Sequence, residues 1–223
     1  MQIEELEARL KVLEDRNRNL QDIEEIKKLQ RVYGYYVERG QLDEIADLFS
    51  DRPDVSFGPS YNVSVGKENV RRMFSSQRAF GTLPGNKPDD YLHITAPISG
   101  VVDVDEDGET AKGRWYALMY LHNATPGGGA VIGVGMYEKE YVKEDGRWRI
   151  LRLQFDDIFL SPYEDGWAKT PKLWARLREM ADSVGLPPGD VPDQPPSKSP
   201  FGDQMPFHNE HPITGKKVAS CRV

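Results

Sequence analysis

Apolar residues recur at helical spacing over the first forty positions and at strand spacing through the middle of the chain. Ile3, Leu6, Leu10, Leu13 and Leu20 fall on alternating three- and four-residue steps, with Asn17 in the one gap. That is the a/d seam of a coiled coil carrying a polar residue at one a position. It spans under three heptads, too little to hold a helix by itself. The phase changes after Leu20, and Ile23, Ile26, Leu29 and Tyr33 continue as a core-facing stripe. Asp22, with Glu25 three residues on, reads as the N-cap of a helix that runs to Arg39 and stops at Gly40. A short helix is expected at Leu42–Phe49, a strand around Asp54–Gly58 and a helix at about Lys67–Gln77. Alternating segments then predict strands at Tyr91–Val104, Thr110–His122, Ala130–Lys143 and Arg147–Leu160. Turn chemistry separates them: Asp107-Gly108, Gly127-Gly128-Gly129 and Asp145-Gly146.

Helices first and an antiparallel sheet afterwards is the α+β pattern. The chain divides into a charged helical arm over residues 1–21, a folded domain over 22–160 and a tail over 161–223. The tail opens with a helical segment, PKLWARLREMADSVG, and continues as LPPGDVPDQPPSKSP, which is extended and builds no core of its own. Trp174, Phe201 and Phe207 are the residues expected to pin it to a surface.

Composition locates the excess polarity. The 223 residues are only 38% hydrophobic and 29% charged. Residues 2–31 alone hold eight acidic and seven basic side chains, so the core is diluted by its extensions. A net charge of −7 makes nucleic acid and anionic membrane poor partners. The single cysteine, Cys221, excludes an internal disulfide and a cysteine-rich zinc site. The N-terminus is charged throughout and does not read as a secretory signal, and no apolar run reaches bilayer length. The expectation is a soluble cytoplasmic homo-oligomer, trimer or dimer, joined by the arm.

Three segments carry a family resemblance: DIEEIKKLQRVYGYYVERGQLDEIADLF, LHITAPISGVVDVDEDGETAKGRWYALMY and VGMYEKEYVKEDGRWRIL. Over about residues 22–160 the chain resembles the NTF2-like superfamily, most closely its SnoaL-like group, which includes scytalone dehydratase and bile-acid 7α-dehydratase. The resemblance implies a cone in which helices close a strongly curved sheet around an apolar pocket. It also implies lyase or isomerase chemistry on hydroxylated rings with no cofactor. Sphingomonad relatives release formaldehyde from lignin-derived diarylpropanes. The same fold also serves isomerases, cyclases and pure binding proteins.

Matched to the dehydratase motif, the catalytic positions are Tyr33, Glu38 and His93. Tyr33 and Glu38 stand about 140° apart around an ideal helix, so they flank a groove. A carboxylate beside a histidine fixes its tautomer and raises its basicity, and a phenol gives or takes a proton at oxygen. That set suffices to eliminate water, or to expel a hydroxyl through a quinone-methide-like state. The expected ligand wall is Tyr36, Phe57, Trp115, Met119, Phe155 and Asp157, with Tyr35 beside Tyr36. Trp115 and Met119 share parity on one strand, and Leu153, Phe155 and Asp157 on another. Two positions depart from the bile-acid enzymes: Met119 stands where they carry an acid, and Asp157 where they carry a base. A neutral phenolic, aromatic-rich ligand therefore fits better than a steroid acid. Gly133-Val134-Gly135 sits mid-strand and reads as a bend, not a phosphate loop. Arg71-Arg72 is a solvated pair near a pocket mouth. His208 and His211 have metal-like spacing, but between a proline-rich stretch and Pro212 they do not make a helical site, so no metal is expected.

Overall fold

α1 is one helix of 37 residues, Ile3–Arg39, in the computed structural model. The structure describes residues 3–59, 63–76, 89–123, 129–169, 189–190 and 207–218. The expected N-cap at Asp22 is corrected: Asp22 lies mid-helix and buried, where its carboxylate accepts from Trp148 Nε1 at 2.8 Å and Lys143 Nζ at 2.7 Å. The cap signature is real as a pattern, but tertiary partners use the carboxylate and the helix runs through. From Asp22 onward the buried stripe is Asp22, Ile26, Gln30, Tyr33 and Gly34, spaced at three and four residues. Before it, Ile3, Leu6, Leu10, Leu13 and Leu20 are all exposed. Gly40 takes a positive φ of 65° and ends α1 as the sequence indicates.

α2 (Leu42–Asp47), β1 (Ser56–Pro59), β2 (Ser64–Val65) and α3 (Lys67–Ser76) follow. β3 (Leu92–Val104), β4 (Thr110–His122), β5 (Ala130–Glu144) and β6 (Arg147–Pro162) then form the long strands, and α4 (Gly166–Lys169) is a short turn of helix. The sheet order is β2-β1-β6-β5-β4-β3. The long strands pair antiparallel as the hairpin turns require, but β1 runs parallel to β6, which strand patterning alone does not reveal. β2 is a further strand that the pattern misses; at two residues it is too short to show alternation. The helix expected at residues 171–185, with Trp174 and Phe201, lies outside the described residues.

The sheet curls around α1. Gly34 permits the closest approach: a Cβ there would stand 3.2 Å from the Thr95 carbonyl oxygen and 3.4 Å from Pro97 Cδ. Irregular register in β5 between Val134 and Gly135 and between Glu140 and Tyr141 bends the pairing with β6, so the Gly133–Gly135 reading as a bend holds. Phe49, Phe57 and Phe74 interlock where α2, α3 and β1 meet, with Phe57 and Phe74 centroids 4.5 Å apart. Each such burial is worth roughly 1.5–3 kcal/mol, and together they seal one side of the cone.

Part of the tail lies on the outer face of the sheet. His208 is wedged between Asp103, 3.2 Å from Nε2, and Glu138, which contacts Nδ1 and also takes Arg114 Nε at 2.7 Å. Phe207 lies under the Arg114 guanidinium at 4.7 Å, so this one of the expected pins does pin. Among the described residues no cluster of His, Cys, Asp or Glu is placed to hold a metal ion, and no helix is long and apolar enough to cross a membrane.

Candidate active site

Strand register decides what the cone contains. His93 pairs with Leu121 and Val131 lies beyond; Thr95 pairs with Met119 and Gly133; Ala117 and Gly135 lead to Asp157. One row deeper Trp115, Tyr137 and Phe155 stand side by side, then Gly113, Lys139 and Leu153, then Ala111, Tyr141 and Ile150. Because side chains alternate, all of these share the concave face. The parity predicted for Trp115 with Met119, and for Leu153 with Phe155 and Asp157, is what the sheet shows.

The end nearer His93 and Asp157 is the more open. His93, Phe155 and Asp157 keep accessible surface there, as do Tyr36 and Glu38 on the last turn of α1. Asp157 retains some surface although protein surrounds it, which is how a group facing an internal space looks. Burial, helped by the neighbouring charge of Asp156, pushes its carboxyl up to about 7. His93 Nδ1 stands 3.2 Å from the Tyr91 hydroxyl. Glu38 lies 3.6 Å from Arg39 Nε at the helix end. Met119 packs with Leu121, Val131 and Leu160 as a small apolar floor that Phe155 joins.

Deeper in, Tyr33 meets Tyr137, edge to face with centroids 6.0 Å apart. Burial raises both phenols above the usual tyrosine range. Phe155 flanks Tyr137 at 4.8 Å and lies across Gly135, where a Cβ would stand only 2.3 Å from its ring. The Lys139 amine sits 4.1 Å from the Tyr33 ring centre and 5.0 Å from that of Tyr137. Lys139 is 0% exposed, and burial drives its amine well below the ordinary lysine range.

The structure thus brings Tyr33 together with Tyr137 and Lys139, and His93 together with Tyr91. Trp115 and Met119 are buried on the concave face. Phe57 is enclosed by Phe49 and Phe74 in the side of the domain. Tyr35 is corrected: at 67% exposed it points to solvent, because it stands two residues from Tyr33 and so on the far side of the helix. Arg71 is tied to Asp47 at 3.0 Å and Arg72 lies 4.0 Å from Asp190. Tyr137 and Lys139 were missed by the sequence reading. Their signal is present: in MYEKEYVKE, positions 137, 139, 141 and 143 share the inward parity, so a lysine stands in an aromatic row.

The SnoaL-like domain family matches residues 18–154. The chain belongs to the SnoaL-like family. A proposed scytalone dehydratase from Novosphingobium aromaticivorans superposes with a TM-score of 0.53 at 19% identity, covering 66% of this chain and 91% of that one. A proposed aromatic ring hydroxylase from the same organism gives 0.52 at 24% identity, covering 64% and 93%. A proposed NTF2-like dehydratase from Streptomyces avermitilis gives 0.50 at 16% identity, covering 62% and 97%. At these identities the likeness is one of fold. Within it, the SnoaL-like cone of this chain carries on its inner face an imidazole, a phenol pair, an amine and a carboxyl that keeps its proton near neutrality.

Proposed function

We propose that this SnoaL-like protein is a cofactor-independent lyase that eliminates water from a hydroxylated aromatic or polycyclic small molecule. The observation that carries it is the polar set inside the cone: Tyr33 with Tyr137, Asp157 and His93, beside the aromatic and aliphatic side chains of Trp115, Met119 and Phe155. In this reading Glu38 orients and polarises His93. His93 removes a proton from the substrate and returns it to the departing hydroxyl. Tyr33, held edge to face against Tyr137, gives its hydroxyl hydrogen to the oxygen that develops charge. Asp157, protonated up to about pH 7, is a donor to a ligand oxygen rather than a counter-ion. Tyr36, Trp115, Met119 and Phe155 hold the ring and exclude water, which strengthens these polar contacts. Loss of the hydroxyl from a para-hydroxybenzylic carbon leaves a quinone methide, and cleavage of the neighbouring carbon–carbon bond then releases formaldehyde from a hydroxymethyl group. Phe57 contributes by bracing the wall from behind.

Purified protein incubated without added cofactor or metal, against a panel of hydroxylated phenolics read by mass spectrometry, tests the reading. Turnover of a panel member should fall at least ~100-fold in His93→Ala and in Tyr33→Phe, the usual loss for a general acid or base. Full turnover in both variants would remove these residues from the mechanism.

A ligand carrier of the same cone is the second reading, favoured by the apolar floor of Met119, Leu121, Val131 and Leu160. It expects tight binding of aromatic compounds with no chemical change. In either case we infer that copies of the chain are joined through α1, whose seam residues Ile3, Leu6, Leu10, Leu13 and Leu20 are exposed. Solution mass before and after removal of residues 1–20 tests this, and an unchanged oligomer would exclude the arm.

A further inference from the structure

Beyond the Tyr33–Tyr137 pair, the closed end of the cone holds a cluster of polar atoms that have no hydrogen-bond partner among the described residues. They are Lys139 Nζ, Trp115 Nε1, Tyr141 Oη and both amide atoms of Gln30. Lys139 and Gln30 are 0% and 1% exposed, so water outside the protein does not reach them. Such atoms are few in a native interior, and each calls for an occupant or a cost.

Their positions converge. Lys139 stands opposite Gly113 in the register, and the space above that glycine is taken by the edges of Trp115 and Tyr141. Trp115 Nε1 and Tyr141 Oη approach each other over that glycine, 3.2 and 3.4 Å from where its Cβ would be, without an aligned hydrogen bond. Gln30 lies on the buried stripe of α1 between two fixed points: Asp22, which holds Lys143, and Tyr33, which lies under Lys139. Its amide therefore faces the Lys139–Tyr141 stretch of β5. The chemistry is one-sided. The amine, the indole N–H, the amide NH₂ and the phenol O–H all donate, while the amide oxygen is the one group limited to accepting. Among the described residues no carboxylate pairs with the amine: Glu138 and Glu140 have the opposite parity and are engaged on the outer face with Arg114, His208 and Arg152.

We propose that Gln30, Trp115, Lys139 and Tyr141 form a receptor for one anionic oxygen of an aromatic ligand, a phenolate or a carboxylate, with Lys139 as its cation. The ligand enters as the acid. Its O–H bond breaks, an N–H bond forms on Lys139, and the pair remains as oxyanion and ammonium with no change of oxidation state. The rings of Tyr33 and Tyr137 stabilise the ammonium once formed, since both present their faces to it. The oxyanion left by the transfer then offsets the burial that lowers the proton affinity of the amine. For a para-hydroxybenzylic substrate this places the electron pair that drives hydroxyl loss at the closed end, and the departing group near Asp157 and His93. The inference rests on the proposed aromatic ligand but not on turnover.

The test is binding of 4-nitrophenol, whose phenolate is yellow, at a pH where the free dye is colourless. Wild type should bind the dye in its yellow form. Lys139→Met should bind it at least tenfold more weakly and without colour, while melting at or above the wild-type temperature. Lys139→Gln provides the same comparison if the methionine variant does not fold. Benzoate displacing the dye names carboxylates as ligands too, and displacement by phenols alone names phenolates; either result upholds the site. A colourless complex with wild type, equal colour and affinity in the Lys139 variants, or no binding of dye or benzoate by wild type overturns it. Loss of turnover in His93→Ala with dye binding intact would separate the two proposals.

Discussion

Two lysines stand four residues apart on the same face of β5, and their surroundings are opposite. Lys143, at the closed rim, meets the buried Asp22 at 2.7 Å, and the same oxygen takes the Trp148 indole. Lys139, two pleat repeats further in, has two tyrosine rings and, among the described residues, no acceptor. The rim resembles an ordinary structural solution, in which a buried charge is matched when the chain folds. The interior has been left unmatched. A protein loses stability by keeping an amine there, so the contrast separates a contact that holds the fold from a group kept for something the fold does not need.

The comparison can be broken first at its paired side. Asp22→Ala strips Lys143 of its counter-ion and leaves the Trp148 N–H unsatisfied, and should lower unfolding free energy by about 3 kcal/mol, the usual cost of removing one partner of a buried pair. Urea denaturation checks it; a loss below about 1 kcal/mol would mean that the rim pair behaves as a surface pair. Lys139→Met should act in the opposite direction, raising stability by roughly 1–3 kcal/mol as an unsatisfied buried donor is removed.

That gain has a pH signature. Burial holds the folded amine well below the ordinary lysine value of 10.5, so wherever it has released its proton in the fold, unfolding takes one up. Wild-type stability therefore rises with pH towards that value, and the methionine variant's advantage grows as pH falls. Melting temperatures that run parallel across the range would show that Lys139 is charged in the folded state. Asp157→Asn is expected to carry the opposite pH signature. The carboxyl holds its proton to about 7 in the fold but only to 3.8 when unfolded. Wild type loses stability as pH rises between those values, so the asparagine variant should match it below about 4 and exceed it above 7.

Much of this was readable in the sequence. The four long strands, their turns and the α+β order follow from alternation and Gly-containing turns, and the segments around Tyr33, His93 and Trp115 carry the family. Parity alone puts Trp115 with Met119 and Phe155 with Asp157. What was not legible depended on contacts distant in sequence. Asp22 has the spacing of a cap, and only Trp148 and Lys143, more than a hundred residues away, turn it into a core acceptor. Tyr35 is two residues from Tyr33, and a helix separates such neighbours. Lys139 sits among glutamates in sequence, as a solvated lysine does, and only the inward parity of Tyr137 and Tyr141 marks it. The parallel pairing of β1 with β6 leaves no trace in four residues.

α1 carries the arm seam and Tyr33 on one uninterrupted rod. From Ile3 to Tyr33 is thirty residues, about 45 Å at 1.5 Å per residue. The rod sets a phase as well as a distance: each residue added between seam and pocket turns one against the other by about 100°. Whatever grips the arm therefore also aims the mouth of the cone, and the angle is counted out in whole residues. Inserting one residue near Leu20 would swing every pocket of an assembly to a new bearing, while inserting seven would nearly restore the original one and move the pockets outward by roughly 10 Å.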